Sequence, residues 1–258
     1  MQCKVPILMY HHVIPAGQVH ALAPFAVSHD LFSRQLDWLR RAGFRTITLE
    51  ELFDAREKPG QRLKRTKPVV ITFDDCPVTL LDHAVPELSR RGLTATFFAV
   101  AGKCGGHNDW DTDNGAPEVQ LMSGADLRTL ADNGFEIGSH GLTHINLRTC
   151  QPERISRELR ESRRILEETT GRTIRFLAYP YGEYPEGYAG YCREAGYTGA
   201  VSIFSRARDI TEDRYCMRRI LIHEGDQAMR FRFKLSKLYQ WLRVYVDYRV
   251  LRGGSEMA

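Results

Sequence analysis

The stretch at residues 69–75, which reads VVITFDD, decides the architecture of this chain. A β-branched and apolar run ends there abruptly in two carboxylates, Asp74 and Asp75. A continuous apolar run bounded in this way is typical of a strand that is buried on both faces, as in parallel sheets. The stretch therefore predicts a central parallel strand whose carboxyl end carries both aspartates.

Similar short runs recur along the chain and alternate with longer helical patterns. Together with the first stretch they predict eight strands, at residues 6–11, 45–49, 69–74, 95–100, 135–139, 175–179, 198–203 and 217–222. Helical patterns occupy residues 31–42, 79–91 and 152–169, and a further helix begins after Ser123 and ends at Gly134. Strand–helix alternation of this kind predicts an α/β fold with a parallel sheet and helices outside.

We interpret residues 1–258 as one domain, because no Gly/Ser/Pro-rich linker and no internal repeat divides the chain. Eight strands in about 220 residues favour a barrel, which need not close completely. A doubly wound open sheet is the alternative. The turn after the first strand lacks the glycine-rich phosphate fingerprint of such folds, which weakens that alternative.

Polar or aromatic groups follow four of the predicted strands at the point where each strand ends. These groups are Asp74 with Asp75, His140 with His144, the turn Pro180-Tyr181-Gly182, and His223. In parallel α/β folds the carboxyl ends of the strands meet at one rim, where active sites form. We therefore expect these groups to lie close together.

The adjacent carboxylates are costly at the end of a buried strand unless a cation offsets their charge. His140 and His144 offer neutral nitrogen ligands from a single turn. One aspartate with two histidines makes three protein ligands and leaves positions for water and substrate, as in catalytic metal sites. Taken alone, the aspartate pair could instead cap the following helix, and the histidines could be packing or surface residues.

Three motifs resemble those of the polysaccharide deacetylase family, the NodB-like carbohydrate esterases. The family's first motif, T-F-D-D, stands at residues 72–75, and its second, H-[ST]-x-x-H, stands at residues 140–144 as HGLTH. Its third motif, usually R-x-P-Y or R-x-P-F, stands at residues 178–182 as AYPYG. The AYPYG form resembles the subgroup that includes poly-N-acetylglucosamine deacetylases. The resemblance covers the chain from Pro6 to Phe231.

The resemblance implies a distorted (β/α) barrel of about seven parallel strands that hydrolyses the N-acetyl group of an amino sugar. Carried over residue by residue, Asp75, His140 and His144 would hold a divalent metal, most commonly zinc. Asp74 would be the general base. The backbone N–H of Tyr181 would help to form the oxyanion hole.

The chain departs from the family pattern at three points. Ala178 stands where the family usually has the arginine that braces the base, so the group that orients Asp74 is not identified. Cys76 stands where glycine often follows the aspartates, and a packed thiol is favoured there over a metal contact. The Asp–Trp motif that orients the acid histidine is not recognisable. His223 is the best positional match for that acid, and His11 at the end of the first strand is a second candidate.

Substrate contacts are expected in two places. The resemblance points to Tyr179 and Pro180 of the third motif. The glycine-rich loop at residues 105–111 follows the fourth strand, and its Asn108 and Trp110 suit hydroxyl contacts and stacking on a sugar ring. An ordered surface loop with a packed tryptophan is the structural alternative.

The net charge of +4 is too small to indicate a nucleic-acid partner, but it is unevenly distributed. Residues 228–252 carry seven basic residues and one acidic residue, and their apolar positions predict a basic amphipathic C-terminal helix. Packing on the barrel is the simpler interpretation of this helix. Contact with an anionic membrane, with Trp241 at the headgroup boundary, is the sharper one.

No signal-peptide pattern precedes the first strand, and the six cysteines are scattered. We therefore expect reduced thiols and a cytoplasmic protein, peripheral at the inner membrane face if the C-terminal helix binds lipid. The predicted activity is metal-dependent removal of N-acetyl groups from an amino-sugar glycan or glycan precursor. The alternatives are a metal-dependent hydrolase of another amide or ester, and a non-catalytic carbohydrate-binding or regulatory protein with a vestigial site.

Overall fold

The computed structural model describes residues 5–22, 24–57, 67–110, 112, 117–204, 213–240 and 242. The strands are β1 Ile7–Tyr10, β2 His12–Ile14, β3 Ala26–Ser28, β4 Phe44–Thr46, β5 Lys67–Phe73, β6 Thr96–Ala99, β7 Glu136–Ser139, β8 Phe176–Ala178, β9 Gly199–Ser202, β10 Met217–Arg218 and β11 Ile220–Leu221. The helices are α1 His29–Arg41, α2 Leu49–Glu57, α3 Thr79–His83, α4 Val85–Ser89, α5 Gly124–Asp132, α6 Pro152–Thr170, α7 Tyr188–Glu194 and α8 Ala228–Lys234. All eight strands predicted from the sequence are confirmed.

One parallel sheet forms the framework, in the order β10-β9-β8-β7-β6-β5-β1-β11, with β4 beside the start of β5. The predicted strand at residues 217–222 is split at Arg219 into β10 and β11. β10 pairs with β9, whereas β11 pairs with β1, so five consecutive residues join the two edges of the sheet. This split strand nearly closes the barrel. The predicted α/β barrel with outer helices is therefore confirmed.

The barrel interior is filled by one or two side chains from most strands. A compact buried cluster includes Ile7, Val70, Phe98, Phe176 and Met217, and residues of α2 contribute to the same cluster. The larger hydrophobic cluster takes its residues from the other strand faces and the helices around them. Successive side chains of a buried strand point alternately into the two clusters. Both faces are therefore apolar, which explains why these strands are apolar without a break in the sequence.

The helices α1, α5 and α6 follow the sequence pattern, whereas α2 and α7 were not predicted. Ser123 caps α5 in a capping box with Asp126, and Gly171 ends α6 in the left-handed conformation with φ of 67°. The helix predicted at residues 79–91 is instead divided into α3 and α4. Pro86 stands in the first turn of α4 and cannot donate the backbone hydrogen bond that a continuous helix would need. The short strands β2 and β3 were not predicted.

The predicted C-terminal helix is shorter than expected in its described part. α8 ends at Lys234, and residues 235–236 form a turn before helical geometry resumes at residues 237–240. Phe231 and Leu235 are buried, as packing on the barrel requires, whereas Leu238 and Leu242 of the same predicted apolar face are 58% and 40% exposed. Lys234, counted in the basic tail, is also buried and bonds the Asp226 carboxylate at 2.6 Å. Trp241 and residues 243–252 lie outside the described residues, so membrane contact stays a prediction.

In the described part of the chain, no helix is long and apolar enough to cross a bilayer.

Gly138 of β7 tests how tightly the barrel interior is filled. A Cβ added there would lie 2.4 Å and 2.5 Å from ring carbons of Phe98, which is closer than real contacts allow. We expect Gly138→Ala to lower the free energy of unfolding by about 1–3 kcal/mol, because the ring must leave its position. Gly190→Ala, where a Cβ meets nothing within 4 Å, is the matched control. Urea unfolding measures both, and equal midpoints would contradict the packing argument.

Candidate active site

Strained backbone marks the rim at the carboxyl ends of the strands. Among the described residues, four that are not glycine have positive φ, namely Asp75, Cys76, His144 and Tyr181, with angles of 56–65°. Each such conformation costs about 1–3 kcal/mol and persists only where the surroundings enforce it. All four follow β5, β7 or β8, and three of them were predicted site residues. The strain is therefore concentrated where the sequence places the chemistry.

Asp75, His140 and His144 come together as predicted. The Nε2 atoms of His140 and His144 lie 3.6 Å and 3.5 Å from Asp75 Oδ1, and the three ligand atoms lie within 4.8 Å of one another. His140 Nδ1 donates to the backbone carbonyl of Ala178 at 2.8 Å. Because that carbonyl only accepts, Nδ1 carries the proton and the lone pair of Nε2 faces Asp75. This is the tautomer that a metal-binding histidine needs.

The electrostatic setting also suits a cation. Burial lowers the pKa of His140, although the charge of Asp74 opposes that shift. Burial also holds the pKa of His144 well below its usual range, and the neighbouring His140 adds to the effect. Both rings are therefore neutral at physiological pH, as metal ligands must be. Two imidazole nitrogens with one carboxylate make a donor set that fits a divalent metal such as zinc.

The group that braces Asp74 is Arg219, at the break between β10 and β11. Its Nη1 and Nη2 atoms donate to the two carboxylate oxygens of Asp74 at 2.5 Å and 2.6 Å, and Nη1 also bonds Thr72 Oγ1 at 3.2 Å. Burial alone would raise the pKa of Asp74, but the charge of Arg219 outweighs it, with help from His140 and His11, and holds that pKa well below its usual range. Asp74 is therefore ionised and fixed in orientation.

Arg219 was not recognised in the sequence, where Ala178 left the brace unidentified. The available signal was an arginine in the middle of the apolar run at residues 217–222. A charged side chain inside a buried strand is uncommon unless it is paired. The arginine that the family usually places in its third motif is thus supplied here from the closing strand.

The two candidate acids lie in different surroundings. His11 Nε2 lies 3.9 Å from Asp74 Oδ2, and burial lowers the pKa of His11 to about 3 against the opposing charge of Asp74. The ring of His223 instead lies beside Asp226, at 3.7 Å, and its Nδ1 accepts from the backbone N–H of Gly225. The structure therefore brings His11, and not His223, to Asp74.

A cavity of about 630 Å³ opens beside His144. It is lined by Lys103, Asp109, Trp110, Thr143, His144, Ile145, Asn146 and Tyr181. The indole of Trp110 stacks on the His144 ring at 4.1 Å between centroids, and the Tyr181 ring meets the same imidazole edge-on at 4.8 Å. The predicted aromatic residues of the loop and of the third motif therefore both border the predicted metal site.

Three residues predicted as substrate contacts, Tyr179, Pro180 and Asn108, make contacts within the fold. Tyr179 is 1% exposed, and its hydroxyl donates to the backbone carbonyl of Tyr215 at 2.8 Å. Pro180 is also buried. The side-chain amide of Asn108 bonds the backbone of Pro117 and Val119, so it holds its own loop together. None of the three lines the cavity, because their polar or apolar groups are used within the fold.

The thiol of Cys76 lies in the larger hydrophobic cluster and is 2% exposed. Burial raises the pKa of Cys76 well above its usual range, so the thiolate that a metal would require is disfavoured. The packing interpretation of this residue accounts for its environment.

Comparison with known proteins agrees with the motifs. A family model described as polysaccharide deacetylase matches residues 61–200. YxkH of Bacillus subtilis (strain 168), whose name describes a polysaccharide deacetylase, is 26% identical over 231 residues, covering 88% of this chain and 75% of that protein. A poly-beta-1,6-N-acetyl-D-glucosamine N-deacetylase of Staphylococcus aureus (strain MSSA476) is 26% identical over 209 residues, covering 78% of this chain and 69% of that protein.

Among solved structures, the deacetylase PplD of Streptococcus pyogenes, in complex with acetate, superposes with a TM-score of 0.77. The two sequences are 22% identical, and the match covers 92% of this chain and 100% of the other. At this identity the likeness shows the fold alone, and that fold is the barrel described above.

Arg219→Met tests the brace. Removing the guanidinium leaves a buried carboxylate without its partner, so we expect the free energy of unfolding at neutral pH to fall by about 3–5 kcal/mol. The lowered pKa of Asp74 contributes stability above its unfolded pKa of about 3.9, and this contribution is lost as pH falls toward the folded value. The difference between the wild type and Arg219→Met should therefore shrink in acid.

Urea unfolding of the metal-free proteins across pH measures this effect. Arg160→Met is the control, because Arg160 is 59% exposed and lies 3.6 Å from an exposed Glu194. That substitution should change the free energy of unfolding by less than about 0.5 kcal/mol. A loss in Arg219→Met no larger than in this control would contradict the bracing role.

Proposed function

The chain belongs to the polysaccharide deacetylase family, and from this premise we propose that it hydrolyses N-acetyl groups of an amino-sugar glycan or glycan precursor in a metal-dependent reaction. The observation that carries the proposal is the arrangement of Asp75, His140 and His144 around one point, beside a second aspartate that is held ionised. Asp75, His140 and His144 would hold the metal, for which zinc is the best fit to the donors. When bound, such a cation polarises the acetamide carbonyl and makes water more acidic.

Asp74 is the proposed general base. Its carboxylate takes a proton from the attacking water, and the two bonds from Arg219 keep that carboxylate ionised and directed at the site. The hydroxide equivalent adds to the acetamide carbon and gives a tetrahedral oxyanion. The backbone N–H of Tyr181 is the proposed protein donor to this oxyanion, and one such donor is typically worth about 3–4 kcal/mol.

His11 is the proposed proton donor to the leaving amine. In the resting site burial keeps its imidazole neutral, with a pKa of about 3. Negative charge that develops beside it as the oxyanion forms favours the imidazolium, so the ring can gain a proton during the reaction. Asp74 Oδ2 lies 3.9 Å from His11 Nε2, which is too far for direct transfer, so the proton that Asp74 took from water passes to His11 through one bridging water. Collapse of the tetrahedral adduct then breaks the C–N bond and releases acetate and the protonated amine.

The cavity beside His144 is the proposed binding site for the sugar. Trp110 and Tyr181 give it aromatic walls, on which the apolar face of a pyranose ring can stack. Lys103, Asp109 and Asn146 give it polar atoms for hydroxyl groups. The poly-N-acetylglucosamine deacetylase among the relatives makes an N-acetylglucosamine polymer the first substrate to test.

Acetate release from N-acetylglucosamine oligomers tests the activity. We expect release by the zinc-loaded protein, loss of release on treatment with a chelator, and recovery when zinc is returned. Asp74→Asn should retain zinc and lose at least about a hundredfold in kcat, because the general base is removed. The carbohydrate-binding alternative would be supported by a different result. In that case the wild type would bind zinc but release no acetate from any acetylated sugar, and Asp74→Asn would bind glycan as the wild type does. Release from another acetylated amide or ester only would support the other hydrolase.

The two candidate acids are separated by a pair of substitutions. His11→Gln should lower kcat by about 10²–10⁴-fold, since a proton donor of this kind contributes that much. His223→Gln is the matched control and should lower kcat by less than about tenfold, because the His223 ring lies on Asp226. Zinc content and thermal unfolding are measured for both. A larger loss in His223→Gln than in His11→Gln would reverse the assignment.

A further inference from the structure

The turn between the two predicted metal-binding histidines has an unusual backbone. It reads HGLTH at residues 140–144, with Gly141 at φ of 80° and His144 at φ of 58°. These left-handed conformations bend the chain so that His140 and His144 both face Asp75. A non-glycine residue does not stay in this conformation unless neighbouring contacts enforce it.

One carboxylate, that of Glu158 in α6, supplies those contacts. Its Oε2 accepts from the backbone N–H groups of Leu142 and Thr143, both at 2.9 Å. Its Oε1 accepts from the hydroxyl of Thr143 at 2.6 Å and from Arg154 Nη2 at 2.9 Å. Four donors therefore meet on one side chain, and three of them belong to the turn.

The burial of Glu158 distinguishes it from the other acids of α6. Its side chain is 1% exposed, whereas Glu161 and Glu168 form exposed i,i+4 pairs with Arg157 and Arg164. A buried carboxylate is costly unless its hydrogen bonds are satisfied. A pair that only supports a helix surface can stay exposed, as those of Glu161 and Glu168 do. Here the satisfied bonds run to the turn and fix its shape.

The other polar groups of the turn are engaged as well. The carbonyls of Gly141 and Leu142 accept from the backbone N–H groups of Ala101 and Gly102, at 3.0 Å and 2.8 Å. The segment after β6 therefore holds the carbonyl side of the turn, and Glu158 holds its N–H side. Without Glu158 the Leu142 and Thr143 amides would lose their acceptor in a partly buried setting, and the turn could relax.

We propose that Glu158 is a positioning residue for the metal site. Resting on the proposed function, it acts through the turn: its carboxylate holds the Leu142 and Thr143 amides and so places His144 against Asp75. Loss of a residue that orients a metal ligand typically weakens metal affinity by about 10–100-fold. Glu158 touches neither substrate nor reacting atoms, so its effect enters through metal affinity.

Zinc affinity of the full chain, measured by competition with a chromophoric chelator, tests the proposal. Glu158→Ala should weaken zinc binding by about 10–100-fold. Glu158→Gln keeps one oxygen for the two amides and should recover part of the loss, remaining at least about threefold weaker than the wild type. Glu161→Ala, on the same helix but in an exposed pair, is the matched control and should bind zinc like the wild type.

A lowered unfolding temperature in metal-free Glu158→Ala, with zinc affinity within about threefold of the wild type, would show a purely structural role and overturn the proposal. Should Glu158→Ala fail to fold, Glu158→Gln decides: affinity within about twofold of the wild type overturns the proposal.

Amide hydrogen exchange of the metal-free proteins tests the role of Glu158 independently of zinc binding. Amide hydrogen exchange of Leu142 and Thr143 should be faster in Glu158→Gln than in the wild type and unchanged in Glu161→Ala, because only the first substitution weakens their acceptor. A wild type that binds no zinc would refute the metal site. The exchange difference would still show that Glu158 holds the amides of the turn. Equal exchange rates in all three proteins would show that Glu158 does not hold these amides and would overturn the proposal.

Discussion

The buried ion pair between Arg219 and Asp74 is the interaction on which the rest of the structure depends. It joins residues 145 positions apart, from the closing strand to the central strand. Arg219 stands where that closing strand passes from β9 to β1, so the pair is formed only when the barrel closes. The same two hydrogen bonds keep Asp74 ionised. Closure of the fold and preparation of the proposed base are therefore one event.

The side chains of the rim around this pair are held in position by contacts from neighbouring strands and helices. Positive φ at Asp75, His144 and Tyr181 aims side chains that an unstrained strand end would direct elsewhere. The carbonyl of Ala178 sets the tautomer of His140, and Glu158 sets the turn that leads to His144. Each of these supports comes from a neighbouring strand or helix, so the site depends on complete packing and not on any one motif.

The same packing explains which motif residues meet solvent. In the third motif, Tyr179 and Pro180 are buried in the core, whereas Tyr181 is 41% exposed. Trp110 reaches the rim from the long loop after β6 and covers one face of His144. The aromatic walls of the cavity thus come from a loop and a strand end that are far apart in the sequence.

The order of the main strands and helices and the α/β class could be predicted from the sequence, although β2, β3, α2 and α7 were missed. The motif resemblance added the candidate metal ligands Asp75, His140 and His144. The element order follows from local periodicity, and the grouping of the polar residues follows from the rule that parallel strands end at one rim. Three contacts became visible only in the folded chain: Arg219 braces the Asp74 carboxylate, His11 and not His223 lies beside Asp74, and Glu158 bonds the turn between the two histidines. These contacts depend on barrel closure and helix docking, which bring together distant residues whose local sequence patterns give no sign of each other.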